Sequence, residues 1–233
     1  MDETKFAAGK VVTGLSSPYV ALYNNTGGTV TYTEGMVLAR GVDFDPQIET
    51  TGDDNVFYTN NRACESAPQR FRRGTLNIEV DGLLRKAESL IMGLAAKDTV
   101  TVGETPVTVY DYGDGQVIPY VGVGAVVRSM SNGIELFQAV MYTKARFAQF
   151  TVKAHTEEDS IDWQTQSLSA VLQRDDTPKH NWQRVSEPCA TELEAENVLR
   201  VMLGMEPLSY SAAQEVAAKI DAAQAAGNNE VKA

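Results

Sequence analysis

The chain has 233 residues, enough to bury the core of one domain and carry an extension. Its formal net charge is −11, from 20 basic against 31 acidic residues. That balance speaks against a nucleic-acid reader, because gripping a phosphate backbone takes concentrated Lys and Arg.

The N-terminus, MDETKFAAGKVV, is polar, has no apolar segment of the export type and reads as loose over 1–13. No apolar run is long enough to span a bilayer, so no membrane partner is expected. Cys64 and Cys189 lie far apart and read as reduced, partly buried thiols.

In chain order, 19–23 is a short strand after Pro18. The Asn24-Asn25-Thr26-Gly27-Gly28 cluster is a turn, and 29–33 returns as a β-prone run. Another strand is expected over 36–44. The stretch 45–61 is polar and acidic, holds Pro46 and Gly52, and reads as a long loop. Loops of that length inside compact domains are usually functional or disordered. Val56, Phe57 and Tyr58 put an apolar patch near its far end.

The most informative stretch is RFRRGTLNIEVDGLLRKAESLIMGL, from Arg70 to Leu94. Leu76, Ile78 and Val80 alternate with Thr75, Asn77 and Glu79, the period of a half-buried strand. Leu83, Ala87, Leu90 and Leu94 then fall at helical spacing, which predicts a helix over 83–94 with Asp81 at its cap.

Alternating valines flank Pro106 over 98–110 and suggest a hairpin. Strands are expected over 120–128 and 134–142, joined by the Asn132-Gly133 hairpin signal. Further strands over 146–154 and 164–173 flank an acidic turn at Glu157-Glu158-Asp159. Thr191 and Glu194 form a capping box for a helix over 192–203, which Gly204 can stop. Ser211 and Gln214 form a second box before an Ala-rich end.

Candidate chemistry is thin. His155 and His180 have no partner set for zinc or a triad. The acids 157–162, and Asp43, Asp45, Asp53 and Asp54, lack the order of a calcium loop. Gly122-Val123-Gly124 has neither the third glycine nor the helix of a dinucleotide fingerprint, and reads as close sheet packing. Arg70, Arg72 and Arg73 form the one basic cluster and read as partners for acids of this or a neighbouring subunit. No catalytic, metal or cofactor site is expected, and the chain is not read as an enzyme.

The order of GLSSPYVALY, NVFYTNNRACE, FRRGTLNIEVDGLLRKAESLIMGL, PYVGVGAVVR, ELFQAVMYTKARF and WQTQSLSAVL resembles the major tail protein of long-tailed, non-contractile bacteriophages, the subunit of the tail tube. The resemblance covers about 14–175. It implies a mainly β fold, with two packed sheets of sandwich or barrel-like form and a flanking helix. The expected division is a tail-tube β domain over 1–190 and a C-terminal helical extension over 191–233.

It further implies a structural virion protein, made in the host cytoplasm. Such subunits form stacked, hexameric rings around a channel for DNA ejection. Implied partners are further copies of the chain, the tape measure, the tail terminator and the tail tip. DNA passes without specific binding. Thr75, Asn77 and Glu79 are candidates for the lumen. Asp53, Asp54, Phe57, Tyr58, Arg72 and Arg73 are candidates for contact between rings. Two alternatives stand beside this reading: a terminator or secretion-tube-like ring protein, and a monomeric β-sandwich module binding a ligand or receptor through Trp163 or Trp182.

Overall fold

The computed structural model describes residues 11–51, 55–94, 97–131, 133–150 and 165–209. The first seven strands are β1 (Val11–Leu15), β2 (Tyr19–Thr26), β3 (Thr29–Val37), β4 (Gly41–Thr50), β5 (Asn55–Thr59), β6 (Arg62–Ala67) and β7 (Phe71–Val80). Helix α1 (Arg85–Met92) follows, then β8 (Lys97–Val102) and β9 (Thr105–Tyr110). The chain continues through β10 (Val121–Ser131), β11 (Ile134–Phe147), β12 (Gln166–Gln173), β13 (Gln183–Val185) and α2 (Glu192–Met202).

The protein is mainly β. Nine strands form one antiparallel sheet in the order β3-β2-β10-β11-β12-β7-β4, with β1 added to β10 and β13 to β11. Two separate ribbons, β5–β6 and β8–β9, complete the strand set. The described residues thus form one large sheet and two small ones, where the sequence led us to expect two packed sheets.

The long hairpin β10–β11 is the spine. Its tip is a two-residue loop, since Ser131 pairs with Ile134 and Gly133 takes φ 78°. Each strand of the hairpin has two partners on its outer edge. Strand β10 pairs with β2 over Val121–Gly124 and with β1 over Val127–Met130. Strand β11 pairs with β13 over Val140–Tyr142 and with β12 over Lys144–Phe147.

Apolar side chains pack on both sides of this spine. On one side Val20, Val121, Val123, Leu76, Ile78, Leu168 and Leu172 meet Ala87, Leu90 and Ile91 of α1. On the other, Tyr19, Ala21, Val126, Phe137, Ala139 and Met141 meet Ala195, Leu199 and Leu203 from α2 and its cap. Each fully buried Leu or Ile here contributes roughly 1.5–3 kcal/mol relative to exposure. Gly122 and Gly124 make room for the second layer. A Cβ at Gly124 would lie 2.6 Å from Leu199 Cδ1, and one at Gly122 would lie 3.0 Å from Leu203 Cδ2. The close-packing reading of this glycine pair therefore holds.

Helix α2 carries the expected capping box, with the Thr191 hydroxyl accepting from the Glu194 amide and the Glu194 carboxylate accepting from the Thr191 amide. Helix α1 is shorter than expected and differs at its start. Its N-cap is Leu84, with no side-chain cap, and Asp81 instead accepts from Arg40 Nε at 2.5 Å. Gly82 and two leucines separate Asp81 from the first turn, too far for its carboxylate to reach the orphan amides. The helix ends at Gly93, in the left-handed region at φ 64°.

The largest correction concerns 45–61. Most of it is strand. Val42, Phe44, Pro46 and Ile48 alternate with Asp43, Asp45, Gln47 and Glu49, and β4 pairs with β7 from Gly41 to Thr50. Pro46 is tolerated because β4 ends the strand path, where a missing N–H interrupts no inner ladder. The remainder is the β5–β6 hairpin, turned by Asn60 and Asn61 at φ 49° and 60°, the pair of positive values a tight two-residue turn requires. Likewise 36–44 is not one strand: the ladder breaks over 38–40, where Leu38 and Ala39 turn into the core. Residues 11–13, expected to be loose, belong to β1.

Candidate functional site

Directly opposed residues in antiparallel strands share a face. The register therefore defines a surface over β4, β7 and β12. One row is Asp43–Glu79–Ser167, the next Asp45–Asn77–Ser169, the next Gln47–Thr75–Val171. Asn77, Asp43, Gln47, Ser167 and Ser169 are exposed, while Thr75, Glu79 and Asp45 are half-buried. The alternate residues Leu76, Ile78, Val80, Leu168, Ala170 and Leu172 form the core beneath. Thr75, Asn77 and Glu79 thus sit together on a polar, solvent-facing surface.

The polar side chains are tied laterally. Thr165 Oγ1 donates to Glu79, Ser169 Oγ donates to Asn77 Oδ1 at 3.2 Å, and Gln47 Nε2 donates to both Asp45 oxygens at 2.9 and 2.8 Å. The first two rows hold three carboxylates, Asp43, Asp45 and Glu79, and no basic residue.

Toward the other end the face becomes mixed. Glu49 lies opposite Arg73 and accepts from its Nε at 2.7 Å, which holds the Glu49 carboxyl below its usual range. On β11, Arg146 pairs with Val171 and Lys144 with Gln173. The Arg146 guanidinium lies 3.9 Å from the centre of the Tyr120 ring. Lys144 Nζ sits 4.6 Å from the same ring and 2.8 Å from Asp176 Oδ2. The ammonium holds the Asp176 carboxyl low, helped by the hydroxyl of Tyr23.

The residues proposed for contact between rings are only partly brought together. Arg73 is engaged by Glu49 of its own chain, and Arg72 beside it is exposed. Tyr58 is exposed on the β5–β6 hairpin, which also carries Phe57. Asp53 and Asp54 lie outside the described residues. Trp163, His155 and the acidic turn 157–159 lie outside them too. Trp182 is half-buried and stacked on Phe71 at 4.7 Å between ring centres, so one of its faces is occupied from within. Both cysteines are free thiols, Cys64 exposed and Cys189 half-buried.

Among the described residues no group of His, Cys, Asp and Glu is arranged to hold a metal ion. Nor is any helix among them long and apolar enough to cross a membrane. No known family model matches the chain, and no curated protein matches it.

Sequence reasoning found one strand of the polar face and missed its neighbours. Asp43, Asp45, Ser167 and Ser169 were recoverable from alternation over 41–50 and 166–173. Lys144 and Arg146 carried no local signal, because their place on this face depends on β11 pairing with β12.

Proposed function

We propose that this protein is a structural subunit of a bacteriophage tail tube, polymerising as stacked, hexameric rings around a channel for DNA ejection. The observation that carries the reading is the asymmetry of the sheet. Over β4, β7 and β12 one face is buried with α1, and the other is bare, polar and acidic at one end. A tube wall needs such a face, because carboxylates on a lumen repel phosphate and let DNA slide. Strand β4 ends the sheet, so its outer backbone groups are available to a neighbouring subunit, and a closed ring removes that edge.

In this reading the two packed layers of the tail-tube fold correspond to the two arms of the sheet, divided where β10 exchanges β2 for β1 and β11 exchanges β12 for β13. Thr75, Asn77 and Glu79 face the lumen with Asp43 and Asp45. Tyr58, Phe57, Asp53, Asp54, Arg72 and Arg73 serve contacts between rings. The other partners are the tape measure, the terminator and the tail tip. The protein is assembled in the host cytoplasm and ends in the virion. A monomeric binding module would need an open aromatic platform, and the stacking of Trp182 on Phe71 disfavours it for that side chain.

Negative-stain microscopy of the concentrated protein tests the assignment. Tubes of stacked rings are expected; single rings would point to a terminator, and a monomer would overturn it. The lumen assignment has its own test. Replacing Asp43, Asp45 and Glu79 with Lys should leave tubes intact and slow genome ejection, most strongly at low salt, since screening shortens to about 8–10 Å near physiological ionic strength. Unchanged ejection kinetics at low and moderate salt would place this face elsewhere.

A further inference from the structure

The β8–β9 ribbon is exposed on both faces. Every described side chain from Asp98 to Val109 is exposed. Its register sets Val100 opposite Val107 and Asp98 opposite Val109, so Val100, Val102, Val107 and Val109 share one face. Their exposures are 50, 66, 45 and 36 %. An isolated two-stranded ribbon is marginal in water, and an apolar stripe of this kind usually marks a contact. The base of the ribbon is nevertheless fixed. Tyr110 packs against the core, Arg85 of α1 lies 5.4 Å from its ring centre, and Tyr112 donates to Glu88 of α1 at 2.8 Å. The ribbon is an arm held out from α1.

A second apolar surface lies at the far end of the spine. The segment after β9 leads into β10 at Val121, and the 11 residues of β10 carry the chain roughly 35 Å away, at about 3.3 Å per residue. There β1 and the β10–β11 tip expose Val12 (66 %) and Ile134 (63 %) on one face, beside half-buried Leu136. Val11 and Met130 are exposed on the other face. Within one chain the valine stripe and this end do not cover each other, as both remain exposed.

We propose that the valine face of β8–β9 in one copy docks on the β1/β10–β11 end of a second copy. The two surfaces are different, so the contact is head-to-tail. Such a contact repeats, giving a ring if the rotation closes and a filament if it does not. The occupant is a second copy because each surface supplies the apolar area that the other lacks a cover for, at opposite ends of the same strand. One ribbon face is smaller than the roughly 800 Å² per partner of a stable interface, so the contact acts with others in a closed assembly. The proposal deepens the assembly reading above by naming two of its surfaces.

The test is complementation between two surface variants, Val100→Lys/Val107→Lys and Val12→Lys/Ile134→Lys, followed by sedimentation velocity and circular dichroism. The wild type should sediment as an oligomer and each variant alone as a folded monomer. Mixed at equal concentration, they should give a one-to-one dimer and nothing larger, because only one intact ribbon and one intact end remain. Wild-type assembly by either variant alone, or a mixture that stays monomeric, would overturn the docking.

A second measurement guards against misfolding. In a Cys64→Ser background, Val102→Cys and Ile134→Cys proteins mixed under mild oxidation should form mixed disulfide-linked dimers. Their absence from folded protein overturns the proposal. If complementation holds but the wild type forms no tube, the docking stands and the tail-tube reading falls. If the lysine variants still form tubes, the reverse holds.

Discussion

Gly124→Ala is the sharpest probe of how closely α2 sits on the sheet. The added methyl would lie 2.5 Å from the carbonyl oxygen of Val140, 2.6 Å from Leu199 Cδ1 and 3.1 Å from Met141 Cα. Leu199 can change rotamer, but the carbonyl and the Cα belong to β11, which is paired along the length of β10. Either the hairpin spreads or the helix lifts. Overpacking of this kind costs about 1–3 kcal/mol. Replacing Gly by Ala also restricts the unfolded chain, which offsets roughly 0.4–1 kcal/mol.

The net expectation is a loss of about 2 kcal/mol, or a melting temperature lower by roughly 4–8 °C for a chain of this size. Gly122→Ala should cost less. Its methyl meets only side-chain atoms of Tyr32 and Leu203, and turning the Tyr32 ring sacrifices one hydrogen bond to the Thr143 carbonyl, about 1 kcal/mol. Urea denaturation followed by circular dichroism measures both. In the double variant Gly124→Ala/Leu199→Ala, the methyl should partly fill the space left by the leucine, so the two losses add to less than their sum. A Gly124→Ala protein within about 0.5 kcal/mol of wild type, below the range expected for overpacking, or strict additivity in the double variant, would show that α2 does not seat at this glycine.

Leu90→Ala, on the opposite side of the sheet, should cost about 2–5 kcal/mol, the range for truncating a buried leucine, and an unchanged denaturation midpoint would refute its place in the core. Burial raises the phenol of Tyr142 to about 12 and lifts those of Tyr19 and Tyr32 higher still. Their folded values exceed the unfolded one near 10, so the stability they contribute is complete below that pH and is lost as pH rises toward the folded values. Phenolate absorbance should show a late-titrating group among the nine tyrosines, rising together with loss of the β circular dichroism signal; a single transition near pH 10 in folded protein would contradict it.

Local patterns that depend on one strand or one helix were readable. Leu76, Ile78 and Val80 gave β7 its buried face, Thr191 and Glu194 gave α2 its start, and Gly133 gave the hairpin its tip. What failed was context. Pro46 and a run of acids looked like loop because the sequence does not say that β4 ends the sheet, the one place where both are tolerated. Asp81 had the chemistry of a cap and lay one turn too early. The polar surface was half legible for the same reason. Thr75, Asn77 and Glu79 follow from alternation, whereas their union with Asp43, Asp45, Ser167 and Ser169 follows from pairing partners up to 92 residues apart.

That separation has a consequence for synthesis. Strand β7 emerges from the ribosome with β4 already available on one side, but its other partner, β12, is made more than 80 residues later. Loop closure must be met before the β7–β12 ladder gives anything back, which makes this step slow compared with the β10–β11 hairpin, closed by two residues. Until Gln166–Gln173 arrives, Leu76 and Ile78 lie beside an unpaired ladder edge, open to the same segment of another nascent chain. The yield of soluble protein should therefore depend on translation speed across 81–165, with slower passage favouring aggregates over folded subunits.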